Sequence, residues 1–95
     1  MKISPLGIAT SASLTAGAST ISDAQQVLVQ NTSSSGRYVH IEAGSSGTRI
    51  ASFFLQPNQS IIIRKEYADE IFASTAAAGT GAATDVLFTK TGFYA

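Results

Sequence analysis

The clearest order in the chain is a two-residue alternation of apolar and polar side chains. It is strongest in RYVHIEA, Arg37 to Ala43, where Val39 and Ile41 point one way and Tyr38, His40 and Glu42 the other. That period predicts a half-buried strand. Three closely spaced runs of branched and aromatic residues follow: Arg49 to Leu55, Gln59 to Glu66 and Glu70 to Ser74. Gln56-Pro57-Asn58 separates the first two, its proline presetting φ and its asparagine tolerating a left-handed turn, so we read these two strands as a hairpin. The charged corner Lys65 to Asp69 leads to the third. Ahead of these, Gln25 to Asn31 is a short strand with Val27 and Val29 on one face and Leu28 on the other. Residues 31–36 are a loop by composition, and Gly44-Ser45-Ser46-Gly47 has hairpin length. Asp85 to Thr91 reads as a last strand, with Val86 and Phe88 on one face.

Two stretches lack a period. Residues 1–22 are rich in Ala, Ser, Thr and Gly, and Pro5 with two glycines counts against a helix, so we read an extended arm or edge strand on its own domain or on a neighbour. Ser74 to Thr84 has small, uncharged side chains suited to a flexible loop or a tight packed crossing. Its glycines lack the Lys and Ser/Thr of a phosphate-binding loop. Six strands and a seventh at the N-terminus, spaced by about 8 to 12 residues, predict an all-β fold. The expected architecture is a single small antiparallel β-sandwich or partly open barrel over residues 23–95, with residues 1–22 as the arm. At 95 residues there is one domain.

Alternation assigns Val27, Val29, Val39, Ile41, Ala51, Phe53, Leu55, Ile61, Ile63, Ile71, Val86 and Phe88 to a common inner face. The other face also carries Leu28, Tyr38, Ile50, Phe54, Ile62, Phe72 and Leu87, where a half-exposed antiparallel sheet is ordinarily polar. Apolar positions in that number mark an interaction surface. Leu28, Tyr38, Ile50, Phe54, Ile62 and Phe72, with Phe93 and Tyr94 at the chain end, are therefore the interface candidates.

Composition strengthens that expectation. Charged residues are 13% of the chain, about half of the roughly 25% usual in soluble domains, and six bases cancel six acids. Near-zero net charge favours association. The bases are too scattered for a nucleic-acid footprint, and no apolar run is long enough for a membrane span. Polar residues from Ser4 to Ser13 interrupt any signal-peptide centre. There is no cysteine, and the single histidine, His40, reads as a surface residue beside Tyr38 and Glu42. No catalytic set, metal set, cofactor site or small-molecule substrate site emerges, and Glu66, Asp69 and Glu70 read as a solvated corner rather than a calcium loop. Asn31 and Asn58 each open a glycosylation sequon, which has meaning only in a secreted eukaryotic protein.

The run FFLQPNQSIIIRKEYADEIFA, Phe53 to Ala73, resembles a pattern in small virion proteins of tailed bacteriophages, particularly marine cyanophages. In these a leucine-proline turn leads into an apolar strand, then a Lys, then Asp-x-Ile-x-Ala; here they are Leu55, Pro57, Ile61 to Ile63, Lys65, Asp69, Ile71 and Ala73. The match covers about a quarter of the chain and contains no catalytic signature. It implies a β-sandwich accessory protein of the virion, non-enzymatic and present in many copies. A capsid decoration or cement role comes first, with the major capsid protein and copies of itself as partners; a neck, head-tail connector or tail component is the alternative. From another class, a carbohydrate-binding β-module would use Tyr38, Tyr67, Phe72 and Tyr94, against which stand the lack of Trp and the few polar groups beside them.

Overall fold

The alternating stretches all become strands in the computed structural model, which describes residues 2–12, 18–44 and 46–94, and the side chains of these except residues 2–4, 93 and 94. The strands are β1 (Lys2–Pro5), β2 (Thr10–Ser11), β3 (Gln26–Asn31), β4 (Arg37–Ala43), β5 (Thr48–Leu55), β6 (Ser60–Arg64), β7 (Glu70–Ser74) and β8 (Val86–Tyr94). Seven are of ordinary length and β2 is a two-residue addition. All pairings are antiparallel, in two sheets: β1-β8-β3-β6, with β2 also on β8, and β5-β4-β7. The result is the all-β sandwich that the alternation predicts, and not a closed barrel.

Between the sheets lie Val27, Val29, Val39, Leu55, Ile71, Val86 and Phe88, all fully buried, with Ile41, Phe53, Ile61 and Ile63 packed against them. Ala51 departs from its inner-face assignment in one respect. Its register opposite Ile41 keeps it on that face, yet it is exposed, because it sits on the edge strand where the cover runs out.

The expected hairpin between β5 and β6 is not formed. The turn itself is present: Gln59 N–H donates to Gln56 O at 3.1 Å, and Asn58 holds φ 60°. But β5 pairs with β4 and β6 with β3, so the turn is an arch from one sheet to the other. Asn31 fixes the arch from below. Its amide nitrogen donates to the carbonyls of Ser35, Leu55 and Gln56, and its backbone N–H to Gln59 O. Buried and bonded in this way, Asn31 is no glycan acceptor.

The arm seals the opposite flank within its own chain. β1 and β2 line one edge of β8, then Ala12 O accepts from Ala73 N–H and Ser19 exchanges two backbone hydrogen bonds with Ile71. The free edge of β7 is thereby covered. Ile21, Ser22 and Asp23 next turn left-handed, at φ 54°, 56° and 56°, and bring Ile21 and Ala24 into the core. Lys90 and Lys65 donate to the carbonyls of Ser22 and Ala24 at 3.0 and 2.8 Å, which anchors this turn. The sheets are also tied by Arg37, which grips Asp85 through two hydrogen bonds of 3.0 and 2.9 Å. That grip, its hydrogen bonds first, holds the Asp85 carboxyl below the usual range.

Candidate functional site

Polar and aromatic side chains converge on the outer face of the three-stranded sheet. In the ladder His40 stands opposite Ser52 of β5 on one side and Phe72 of β7 on the other. Its Nδ1 lies 2.7 Å from Ser52 Oγ, and its Nε2 lies 2.7 Å from Ser74 Oγ. The tautomer follows from its neighbours. Arg49 Nη1 approaches Nδ1 at 3.2 Å and can only donate, while the Ser74 hydroxyl donates onward to Ala76 O at 2.7 Å. The proton is therefore on Nε2, and Nδ1 accepts from Ser52. Burial first, and the Arg49 charge second, lower the His40 pKa, with the Ala76 carbonyl acting in the other direction.

His40 is consequently not the surface residue that its alternation with Val39 and Ile41 suggests; it is fully buried. Neither is Phe72 an exposed interface residue. It too is fully buried, with its ring 4.9 Å from the imidazole and the Arg49 guanidinium 5.4 Å above its centre. The cause is the segment between β7 and β8, which folds back as a packed crossing. Thr75 N–H donates to Gly81 O, Ser74 bridges to Ala82, and Ala83 is buried. Gly79 in this crossing has φ 90°, a conformation that favours glycine, and a Cβ there would stand 2.6 Å from Arg49 Nη2 and push the guanidinium aside.

Chemically, Ser52 and His40 set a hydroxyl against a neutral base, the pairing from which a nucleophile is activated. Acyl transfer also needs walls that exclude water and donors aimed at an oxyanion. Ser52 is exposed on an edge strand, and two surface hollows, about 500 and 350 Å³, lie elsewhere, both lined by Gln25 and Arg64. The hydroxyl-imidazole-hydroxyl line crosses β5, β4 and β7 and serves as a tie across the sheet.

Beside this tie the surface is apolar. Ile50 and Phe54 are 55% and 46% exposed, high values for residues of their size. Phe54 is held in place: its ring meets Tyr38 edge-on at 5.1 Å and 64°, and it lies so close over Gly36 that any Cβ there would displace it. The remaining candidates do not share this face. Leu28 and Ile62 pair with each other on the outer face of the other sheet and are half-buried, as is Leu87. The side chains of Phe93 and Tyr94 lie outside the described ones. Of the aromatics proposed for sugar binding, Phe72 is buried and Tyr38 is turned to Phe54.

Ser52, Ser74 and Arg49 were not legible as a group, since only the register of three strands brings them to His40. Among the described residues, no three His, Cys, Asp or Glu are grouped to hold a metal ion, and no helix is long and apolar enough to cross a membrane. Comparison of the chain with protein-family models, curated proteins and solved structures finds no match in any of the three.

Proposed function

We propose that this chain is a non-enzymatic structural protein of a tailed-phage virion: a multi-copy capsid decoration, or cement, protein that docks on the major capsid protein. The observation that carries this reading is the exposed apolar pair Ile50 and Phe54 on a flank where, among the described residues, β5 has a strand neighbour on one side only. Rigid, solvent-facing aromatic and aliphatic side chains are what protein interfaces use as anchors, since little entropy is lost in fixing them. Two further features support it. The low charge lets surfaces approach without repulsion, and the resemblance to phage virion proteins, Phe53 to Ala73, takes in Phe54 and the end of β5, though not Ile50.

The test is sedimentation of the purified protein with intact capsids, wild type against Phe54→Ser. Binding at a copy number near that of the shell protein is expected, with Phe54→Ser weakening it at least tenfold, the order of one interface anchor. The same variant should melt within a few degrees of wild type, since its ring is half in water. Binding at a small fixed copy number would move the protein to the neck or tail, and a chain that ignores particles would end the virion reading.

A further inference from the structure

We propose that β5 is a self-pairing edge, and that two copies of the chain join β5 to β5 about a two-fold axis at Phe53. This deepens the assembly reading above and rests on it. The argument begins with where backbone groups point. Ile71 and Ala73 turn theirs outward, to Ser19 and Ala12. In an antiparallel sheet the direction alternates, so Phe72 bonds to His40, its ladder partner, and the neighbours Val39 and Ile41 bond to Phe53 and Ala51 of β5. The N–H and C=O of Ser52 and Phe54 then face away from β4. On that side β5 has no strand partner among the described residues.

Such an edge invites pairing unless it is blunted by proline, charge, a bulge or a covering segment. The chain uses these devices elsewhere. β1 ends in Pro5, β7 is covered by Ala12 and Ser19, and β6 ends in the charged Arg64. β5 has a bulge at Ile50, where the register to β4 shifts, but from Ala51 to Leu55 it is regular, uncharged and free of proline. A regular five-residue edge has its midpoint at Phe53.

A second copy fits this edge by symmetry. Antiparallel pairing about Phe53 sets Ser52 against the other copy's Phe54 and the reverse, which consumes all four outward N–H groups in four hydrogen bonds. No like charges meet. The pairing also completes an unfinished edge of the core: Ala51 faces inward yet is exposed, and Phe53 is only half-buried. Across the axis, Ala51 meets Leu55 and Phe53 meets its own copy. The two Ile50 and Phe54 pairs then lie on one continuous six-stranded outer face.

The experiment is analytical ultracentrifugation of the full chain over a wide concentration range, with amide hydrogen exchange read at Ser52 and Phe54. The expected result is a reversible dimer in which both amides exchange about tenfold more slowly when nine chains in ten are paired. Two variants isolate the backbone. Ser52→Ala loses the hydroxyl and keeps the N–H, and should still dimerise; Ser52→Pro loses both, without removing a bond to β4, and should be monomeric. A monomer at all concentrations, a dimer whose Ser52 and Phe54 amides stay unprotected, or protection of these amides only when capsids are added each overturns self-pairing. The last would assign the edge to a strand of the shell. Because pairing is measured without particles, a monomer that binds capsids refutes it and leaves the virion reading standing. A dimer with protected amides that ignores capsids does the reverse.

Discussion

His40 shows how much one residue's environment decides. In the unfolded chain it titrates near 6.5; in the fold its neutral form is favoured by burial and by Arg49, which is itself paired with Glu42 at 3.8 Å. Its folded pKa is lowered, so the stability linked to its neutral form is fully present above about pH 6.5 and is lost as pH falls through the folded pKa. We therefore expect the unfolding free energy to fall between pH 7 and pH 5, with a slope of up to about 1.4 kcal/mol per pH unit, and the melting temperature to fall with it. His40 is the chain's one histidine, so His40→Gln should flatten that slope; an unchanged slope in thermal melts would refute the assignment. Asp85, also lowered, makes its loss only in stronger acid. The burial of His40 was not legible in the sequence. Alternation places it opposite Val39 correctly, but what covers that face is the crossing from Thr75 to Ala83, whose small side chains carry no directional signal.

At the scale of elements, local chemistry was readable and partnership was not. Pro57 and Asn58 make the turn their types predict, and β4 and β7 have the predicted bounds. Which strand each arm of that turn joins is a non-local matter, settled by Ile61 and Ile63 meeting Val29 and Val27 across the ladder. The left-handed turn at Ile21 to Asp23 is the opposite case, since only Asp23 is of a type that tolerates that conformation and Ile21 and Ser22 do not announce it. Each such residue costs about 1–2 kcal/mol, a cost the buried Ile21 and Ala24 and the two lysine contacts offset. Ser22 is exposed and, among the described residues, only its carbonyl is used, by Lys90. Ser22→Gly should therefore raise stability by a net ~0.5–1 kcal/mol, or roughly 3–5 °C in a thermal melt. A lower melting temperature would show that the turn is not strained.

For the whole molecule, the two flanks of the sandwich are unlike. On one, the arm occupies the edges of β8 and β7; on the other, β5 and β6 are joined only by the arch. Among the described residues the three-stranded sheet therefore has a single open end. A unit with one such end can add one partner and then stops, as a monofunctional monomer caps a polymer at two units. Removing residues 1–19 should give the same sheet a second end, at β7. Its growth would then be open-ended, seen by light scattering as particles that enlarge with time and concentration, whereas an unchanged size would mean that β7 is capped by something other than the arm. The arm's covering of Ile71 and Ala73 thus sets a number, two, that no residue of β5 itself specifies.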